Sequence, residues 1–307
     1  MTIVVVGIFT AMAYNRQLIY DYILGWDYQP SARMAEIKQN IRLTPSGDFL
    51  FQASQPEINT ASEFNVNCEQ NKETNNPIVG CYYKDRIYVF DVNNHELSGI
   101  EETTAAHELL HAVYKRLPDL DRQKIDSELE SVYQRVKTPD LIKRMAYYEK
   151  TEPGERKNEL HAILGTEFSE LSPLLEDHYA RYFVSRSDVV KYYENYKGVF
   201  DGIRTKLTAI EKKINEDTSR IESEISIWRQ DRHNFIEKNN ARGFTSADDF
   251  YAVQNELNSR LERIRRDIDS SNQDRNEYNQ LIKRYNQLNM DINSTVSPAP
   301  TAPSGRS

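Results

Sequence analysis

Only two of the 307 residues are cysteine, Cys68 and Cys81, and no Cys-rich spacing of a structural zinc site is present. Charge of one sign is nowhere concentrated. The 39 Lys and Arg are interspersed with 47 Asp and Glu for a net charge of −8, which argues against nucleic acid as a main partner. The 19 tyrosines are scattered and form no stacking motif. No apolar run reaches the roughly 20 residues that a membrane-spanning helix needs. What is present is 38% hydrophobic and 28% charged residues, enough for a soluble body with a modest core, as one large domain or two small ones.

The two cysteines flank a Gly- and Asn-containing connection, and their spacing fits one disulfide made in an oxidising compartment. The N-terminus points the same way. Residues from Thr2 to Asn15 carry no charge, and Ile3 to Tyr14 is largely apolar. That run is short for a span and lacks a basic flank ahead of it. Ala11-Met12-Ala13 has the small residues of a cleavage site. Three readings stay open: an anchor whose start lies upstream, a cleaved signal peptide, or a buried strand or helix. The anchor is favoured, because Leu18-Ile19-Tyr20 and Ile23-Leu24 continue the apolar character to Trp26. The expectation is a membrane-anchored protein facing outward at the cell surface, with secretion as the alternative.

Residues 104–114 read Thr-Ala-Ala-His-Glu-Leu-Leu-His-Ala-Val-Tyr, so His107, Glu108 and His111 form H-E-x-x-H. On a helix, positions i and i+4 share a face, and both imidazoles can converge on one metal. Glu108 follows the first His, where its carboxylate can take a proton from a water that zinc has acidified to a pKa of about 7. Ala105, Ala106, Leu109, Leu110, Ala112 and Val113 are uncharged, which predicts a helix buried around its polar face.

These residues resemble the zincin metallopeptidases, closely over the motif helix and loosely over the next hundred residues. A zinc ion with three protein ligands and one open position is what the resemblance implies. A third His six residues after His111 is absent, since Leu117 stands there. The resemblance is therefore to the gluzincin type, in which a Glu from a later helix is the third ligand. Asn158-Glu159-x-x-Ala162 resembles the N-E-x-x-A pattern that supplies it, making Glu159 the first candidate, ahead of Glu167 and His161. On a regular helix Glu159 and His161 stand about 200° apart, so both cannot bind one ion. Glu159 and Glu167 are separated by about 12 Å along the axis, which excludes that pair too. A ligand from elsewhere, His95 or His178, stays open. Gluzincins commonly use a Tyr or His after the third ligand as oxyanion donor, which brings in Tyr179, with His178 and Tyr182 beside it.

Around the motif, Ala32–Ile41 reads as a short amphipathic helix. Pro45-Ser46-Gly47-Asp48 reads as a turn, Phe49–Ala53 as strand-like and residues 56–77 as loop. Ile78–Tyr83 and Arg86–Val92 predict a β-hairpin over Lys84-Asp85; in zincins such a strand lines the cleft and pairs with extended substrate. Ser98-Gly99-Ile100-Glu101 has the pattern of a capping box for the motif helix, and Leu117-Pro118 should end it. Helices follow over Ile125–Val136, from Pro139 through Tyr148, from about Glu155 to Phe168, and from Ser172-Pro173 through Phe183.

From Phe200 a seven-residue recurrence sets in: Phe200, Leu207, Ile214, Ile221, Trp228 and Phe235, with Ile203 and Ile210 as companions. After Asn239–Gly243, Phe250, Leu257, Ile264, Tyr278 and Tyr285 repeat it, with Leu261, Ile268 and Ile282 between. Two such arms around one turn predict an antiparallel coiled-coil hairpin, each arm about 60 Å long. The expected fold is α+β and mainly helical: a zincin-like catalytic body with a small β-hairpin or sheet, then the long hairpin. The expected organisation is 1–26 anchor or signal, 27–198 metallopeptidase domain, 199–293 coiled coil, and 294–307 disordered tail. Expected partners are a peptide or protein substrate, the membrane through the N-terminus, and a protein partner or a dimer through the coiled coil. The alternative is a non-catalytic surface adaptor, which the intact His107, Glu108 and His111 disfavour.

Overall fold

The structure, a computed structural model, describes residues 16–68 and 79–294. The uncharged stretch through Asn15, the expected strand residue Ile78 and the tail from 295 onward lie outside those residues. The chain is mainly helical with one small three-stranded sheet. It divides into two compact units, one within Met1–Val199 and Leu288–Ser307, the other Phe200–Gln287.

Three short helices open the first unit: α1 (Arg16–Trp26), α2 (Ala32–Ile41) and α3 (Pro45–Ala53). The segment expected to be turn and strand is α3. Thr44 caps it by accepting from the Gly47 amide, and Pro45 sits in its first turn, where the missing N–H is no loss. Phe49-Leu50-Phe51 is too short for its apolar period to tell strand from helix, and the cap decides. The segment expected to be loop carries β1 (Glu57–Asn59) and α4 (Ala61–Asn67), the latter opened by a Thr60/Glu63 capping box.

The expected hairpin is present as β2 (Gly80–Tyr83) and β3 (Arg86–Phe90). Lys84 and Asp85 turn it with φ of 50° and 64°, the left-handed pair that a two-residue turn needs. β3 is central: β1 pairs with it in parallel through Ile58↔Val89, and β2 antiparallel through Cys81↔Tyr88. Among the described residues β2 is thus an edge strand. Cys68 at the end of α4 is disulfide-bonded to Cys81 in that edge, with Cα atoms 6.0 Å apart.

The motif helix α5 (Ile100–Lys115) ends at Arg116, just ahead of Leu117-Pro118. Its start differs from the expectation. Gly99, at φ 99°, is the N-cap and no side chain caps the helix, because Glu101 is engaged elsewhere. Glu101 accepts from the Val92 amide at 2.9 Å and pairs with Arg33. Ala105, Ala106, Leu109, Leu110 and Ala112 are fully buried and Val113 nearly so. Helices α6 (Asp119–Val136), α7 (Pro139–Thr151), α8 (Arg156–Glu167) and α9 (Pro173–Tyr179) follow; α8 packs on α5, α6 and α7 pack on α8, and α9 packs on α6. Of these, α9 is shorter than expected: Phe183 leaves the helix to bridge Leu43. Where α8 meets α5 the helices approach so closely that a Cβ on Gly165 would lie 2.3 Å from Leu110 Cδ1.

The second unit consists of most of α10 (Arg186–Asn240) and α11 (Ala247–Asp291). They run antiparallel: Phe200 meets Tyr285, Trp228 Nε1 donates to the Leu257 carbonyl at 2.9 Å, and Phe235 meets Phe250. The seven-residue positions are turned inward, including Ser271, which fills the gap between Ile264 and Tyr278 and is buried. Ile268 faces outward instead. From Leu288 the chain belongs to the first unit, where Asn94 donates to Asp291 at 2.6 Å and Ser294 bonds Asn65. Among the described residues no helix is long and apolar enough to cross a membrane.

One ion pair ties the N-terminal helix to the motif helix. Arg116 donates to both oxygens of Asp21 at 2.8 and 2.7 Å, and also to the Tyr82 hydroxyl and the Ala112 carbonyl. Both charged side chains are buried. Asp21→Ala leaves a buried guanidinium without its counter-charge and should destabilise the first unit by about 3 kcal/mol in urea unfolding.

Candidate metal centre

His107 and His111 lie one turn apart on α5, with ring centroids 4.8 Å apart. Glu159, in the first turn of α8, faces both. Its Oε1 is 3.5 Å from His111 Nε2 and its Oε2 is 3.9 Å from His107 Nε2. One ligand atom from each of the three lies within 4.8 Å of the others, close enough to hold a metal ion. The packing of α8 on α5 creates this arrangement from residues 48 positions apart in the chain.

The surroundings match the needs of a cation. His111 Nδ1 lies 2.9 Å from Asn158 Oδ1, while the Asn158 amide nitrogen donates to Glu155. That leaves the Asn158 oxygen as acceptor for Nδ1–H, and Nε2 is the ring nitrogen that faces Glu159. Burial, with His111 and Arg144 nearby, holds His107 well below its ordinary range and therefore neutral. Glu108 lines the cleft without joining the three ligand atoms. Burial, opposed by His111 but assisted by Glu159 and Glu152, pushes its carboxyl up to about 8. Two carboxyl groups and two imidazoles are gathered here in one buried place, and a divalent cation is the partner that their lone pairs share.

The ligand atoms sit where two adjoining recesses meet. One, of about 510 Å³, is lined among others by Cys81, Tyr82, Tyr114, Lys115 and Asn158. The other, of about 470 Å³, is lined among others by Thr104, Lys143, Arg144, Tyr147 and Tyr196. Gly80, His107, Glu108 and Tyr148 line both. Gly80 is required by close approach: a Cβ there would stand 2.7 Å from Glu108 Oε1 and 2.3 Å from Thr104 Cγ2. The edge strand β2 therefore runs directly past the Glu108 carboxylate.

The other candidate residues are placed elsewhere. Glu167 forms a two-pronged pair with Arg144, both bonds 2.7 Å. His161 is fully buried, its Nε2 2.8 Å from His178 Nε2, and burial keeps both rings neutral, His178 with a pKa of about 4. His95 lies in an exposed turn beside a different recess. Tyr179, expected to face the reacting group, has no exposed surface, and its hydroxyl donates to the His161 carbonyl at 2.7 Å. The structure does not bring it to the cleft, because α9 presents that side of its last turn to the core. Tyr182 packs against the core beside it.

Two residues of the site escaped the sequence reading. Asn158 stood next to the candidate ligand, yet its partner His111 is fixed only by the packing of α8. Tyr148 lines both recesses, and nothing in the α7 sequence marks it. No family model, no curated protein and no solved structure matches the chain.

Asn158→Ala should keep the three ligands but loosen the His111 ring. Affinity for zinc, used as the probe ion in a competitive chelator titration, should fall by about 10- to 100-fold. Tyr179→Phe should cost about 1 kcal/mol of stability by denaturant unfolding and leave zinc affinity at the wild-type value, since the lost bond is internal to the core.

Proposed function

We propose that the chain is a zinc-dependent metallopeptidase, tethered to a membrane by its N-terminal segment and facing outward. The observation that carries the reading is the convergence of His107, His111 and Glu159 at the meeting point of two recesses, with unligated Glu108 beside them. Two imidazoles and one carboxylate form a donor set that suits zinc and leaves room for a fourth position. When bound, zinc supplies a Lewis acid for the scissile carbonyl and the attacking water.

The chain's own residues supply the remaining roles. Glu108 accepts the proton of the attacking water at its carboxylate and passes it to the departing amine, so it ends each cycle ionised. The edge of β2, running past Gly80, offers unpaired backbone groups to an extended peptide. The oxyanion donor falls to Tyr148, which lines both recesses, in place of the core residue Tyr179. Asn158 keeps His111 in its ligating tautomer. The seven-residue repeat of the second unit supports a coiled-coil hairpin that docks a partner protein or a second copy.

The alternative, a surface adaptor without catalysis, differs in one measurable respect. Glu108→Gln keeps the shape of the side chain and all three ligands but removes the proton acceptor. It should retain stoichiometric zinc by elemental analysis and lose at least about 10²-fold in peptide cleavage against a peptide library. Equal cleavage by wild type and variant refutes Glu108 as the general base.

A further inference from the structure

The helix α1 is amphipathic in the inverted sense. Its one acid, Asp21, is 2% exposed and paired with Arg116 inside the first unit. Gly25, on the same side, lies against the Ala53 backbone of α3. The opposite side shows Ile19, Tyr20, Tyr22, Ile23 and Trp26 to the outside, with Trp26 88% exposed. At 100° per residue these five span less than half of the helix circumference, so they form one continuous face. Phe49 on α3 extends it through a ring contact with Tyr22 at 4.9 Å. A helix in water is expected to present the opposite arrangement, and a contiguous apolar face of this kind marks a contact with something non-aqueous.

We propose that this face of α1 lies in the interfacial layer of a lipid bilayer and seats the first unit on the membrane surface. Three observations select lipid over a protein partner. The uncharged residues Thr2 to Asn15 immediately precede α1, so a bilayer that holds the apolar run holds Arg16 within a few residues of it. The exposed face combines two Tyr and a Trp with two Ile, the mixture that the boundary between headgroups and acyl chains takes. The single charged residue on its outward side, Arg16, stands at the end nearest that run, where a long side chain can reach the headgroups. The seat rests on the tether reading of the previous section and adds which surface of the protein meets the membrane. It also joins membrane to cleft by a short path. Asp21 holds Arg116, Arg116 donates to the Tyr82 hydroxyl, and Tyr82 stands on β2 beside the cleft.

The chain has only two tryptophans, Trp26 and Trp228, which makes the test direct. The full-length protein with Trp228→Phe, so that Trp26 is the sole emitter, is mixed with phosphatidylcholine vesicles whose acyl chains carry bromine at a shallow or a deep position. Zwitterionic lipid suits a chain of net charge −8, since no headgroup attraction is then required. The expected result is a blue shift of Trp26 emission and loss of intensity, stronger with shallow bromines. The Trp26→Phe protein, reporting from Trp228, should show neither. Ile23→Glu on the Trp228→Phe background should keep vesicle binding and zinc content but lose the quenching. Vesicle binding with unshifted, unquenched Trp26 emission overturns the seat and leaves the tether standing. Failure to bind vesicles at all overturns both. A blue shift without lipid that grows with protein concentration assigns the face to a second copy and overturns the proposal. Zinc content measured on the same samples reads the metal site separately from all of these outcomes.

Discussion

The close approach of α8 to α5 is the contact on which the site depends. It requires glycine at 165, where a Cβ would collide with Leu110 and Tyr179, and it is sealed by fully buried Leu109, Leu110, Leu160, Ile163 and Leu164. Each such side chain contributes roughly 1.5–3 kcal/mol of burial. That apolar contact sets the distance between Glu159 and the two histidines, and it does so against the preference of the polar groups themselves. A carboxyl group and two imidazoles lose hydration when they are buried together, which is a cost and not a driving force. The helices hold together for hydrophobic reasons, and the ligand set is carried to its place by them.

The same packing ties several ionisable residues of the motif region to partners other than the three candidate ligands. Arg144 and Glu167 satisfy each other at the wall of the cleft. His161 and His178 share a hydrogen bond and stack with Tyr114, Tyr179 and Tyr182. Each is a buried polar group supplied with a partner, as an interior of this density demands. Glu108 stands apart: it faces the cleft with its carboxyl pushed up to about 8, close to β2 and to the ligand atoms. A buried carboxyl with its pKa raised beside a cluster that could hold a metal ion is the kind of perturbed group that marks a candidate functional place.

Parts of the fold were legible in the chain and parts were not, for separable reasons. The motif helix, the turn at Lys84-Asp85, the stops at Leu117-Pro118 and Gly243, and the inward seven-residue positions of α10 and α11 follow from periodicities of a few residues. β1 was invisible because three residues carry no period, and its partners in β3 lie 31 positions away in parallel register. α3 was misread because a short apolar run is ambiguous and the Thr44 cap decided it. The buried acid of α1 has its partner in Arg116, 95 positions later. Asp291, the last residue of α11, bonds Asn94, 197 positions earlier, which no local pattern marks.

By itself the sequence determined that His107 and His111 share a helical face with Glu108 between them, because the α-helical repeat needs only neighbours along the chain. Glu159 was within reach as well, through the resemblance of Asn158-Glu159-x-x-Ala162 to a ligand-bearing pattern. The tertiary structure alone decided that Glu159 meets those histidines while Glu167, His161 and Tyr179 do not. It alone decided that Asn158 sets the His111 tautomer, that Gly80 must be bare beside Glu108, and that α1 turns its acid inward and its aromatics outward. Each of these is a contact between elements far apart in the chain. The rotation of one helix against another is set by the shapes of all the side chains between them, and no local repeat encodes that.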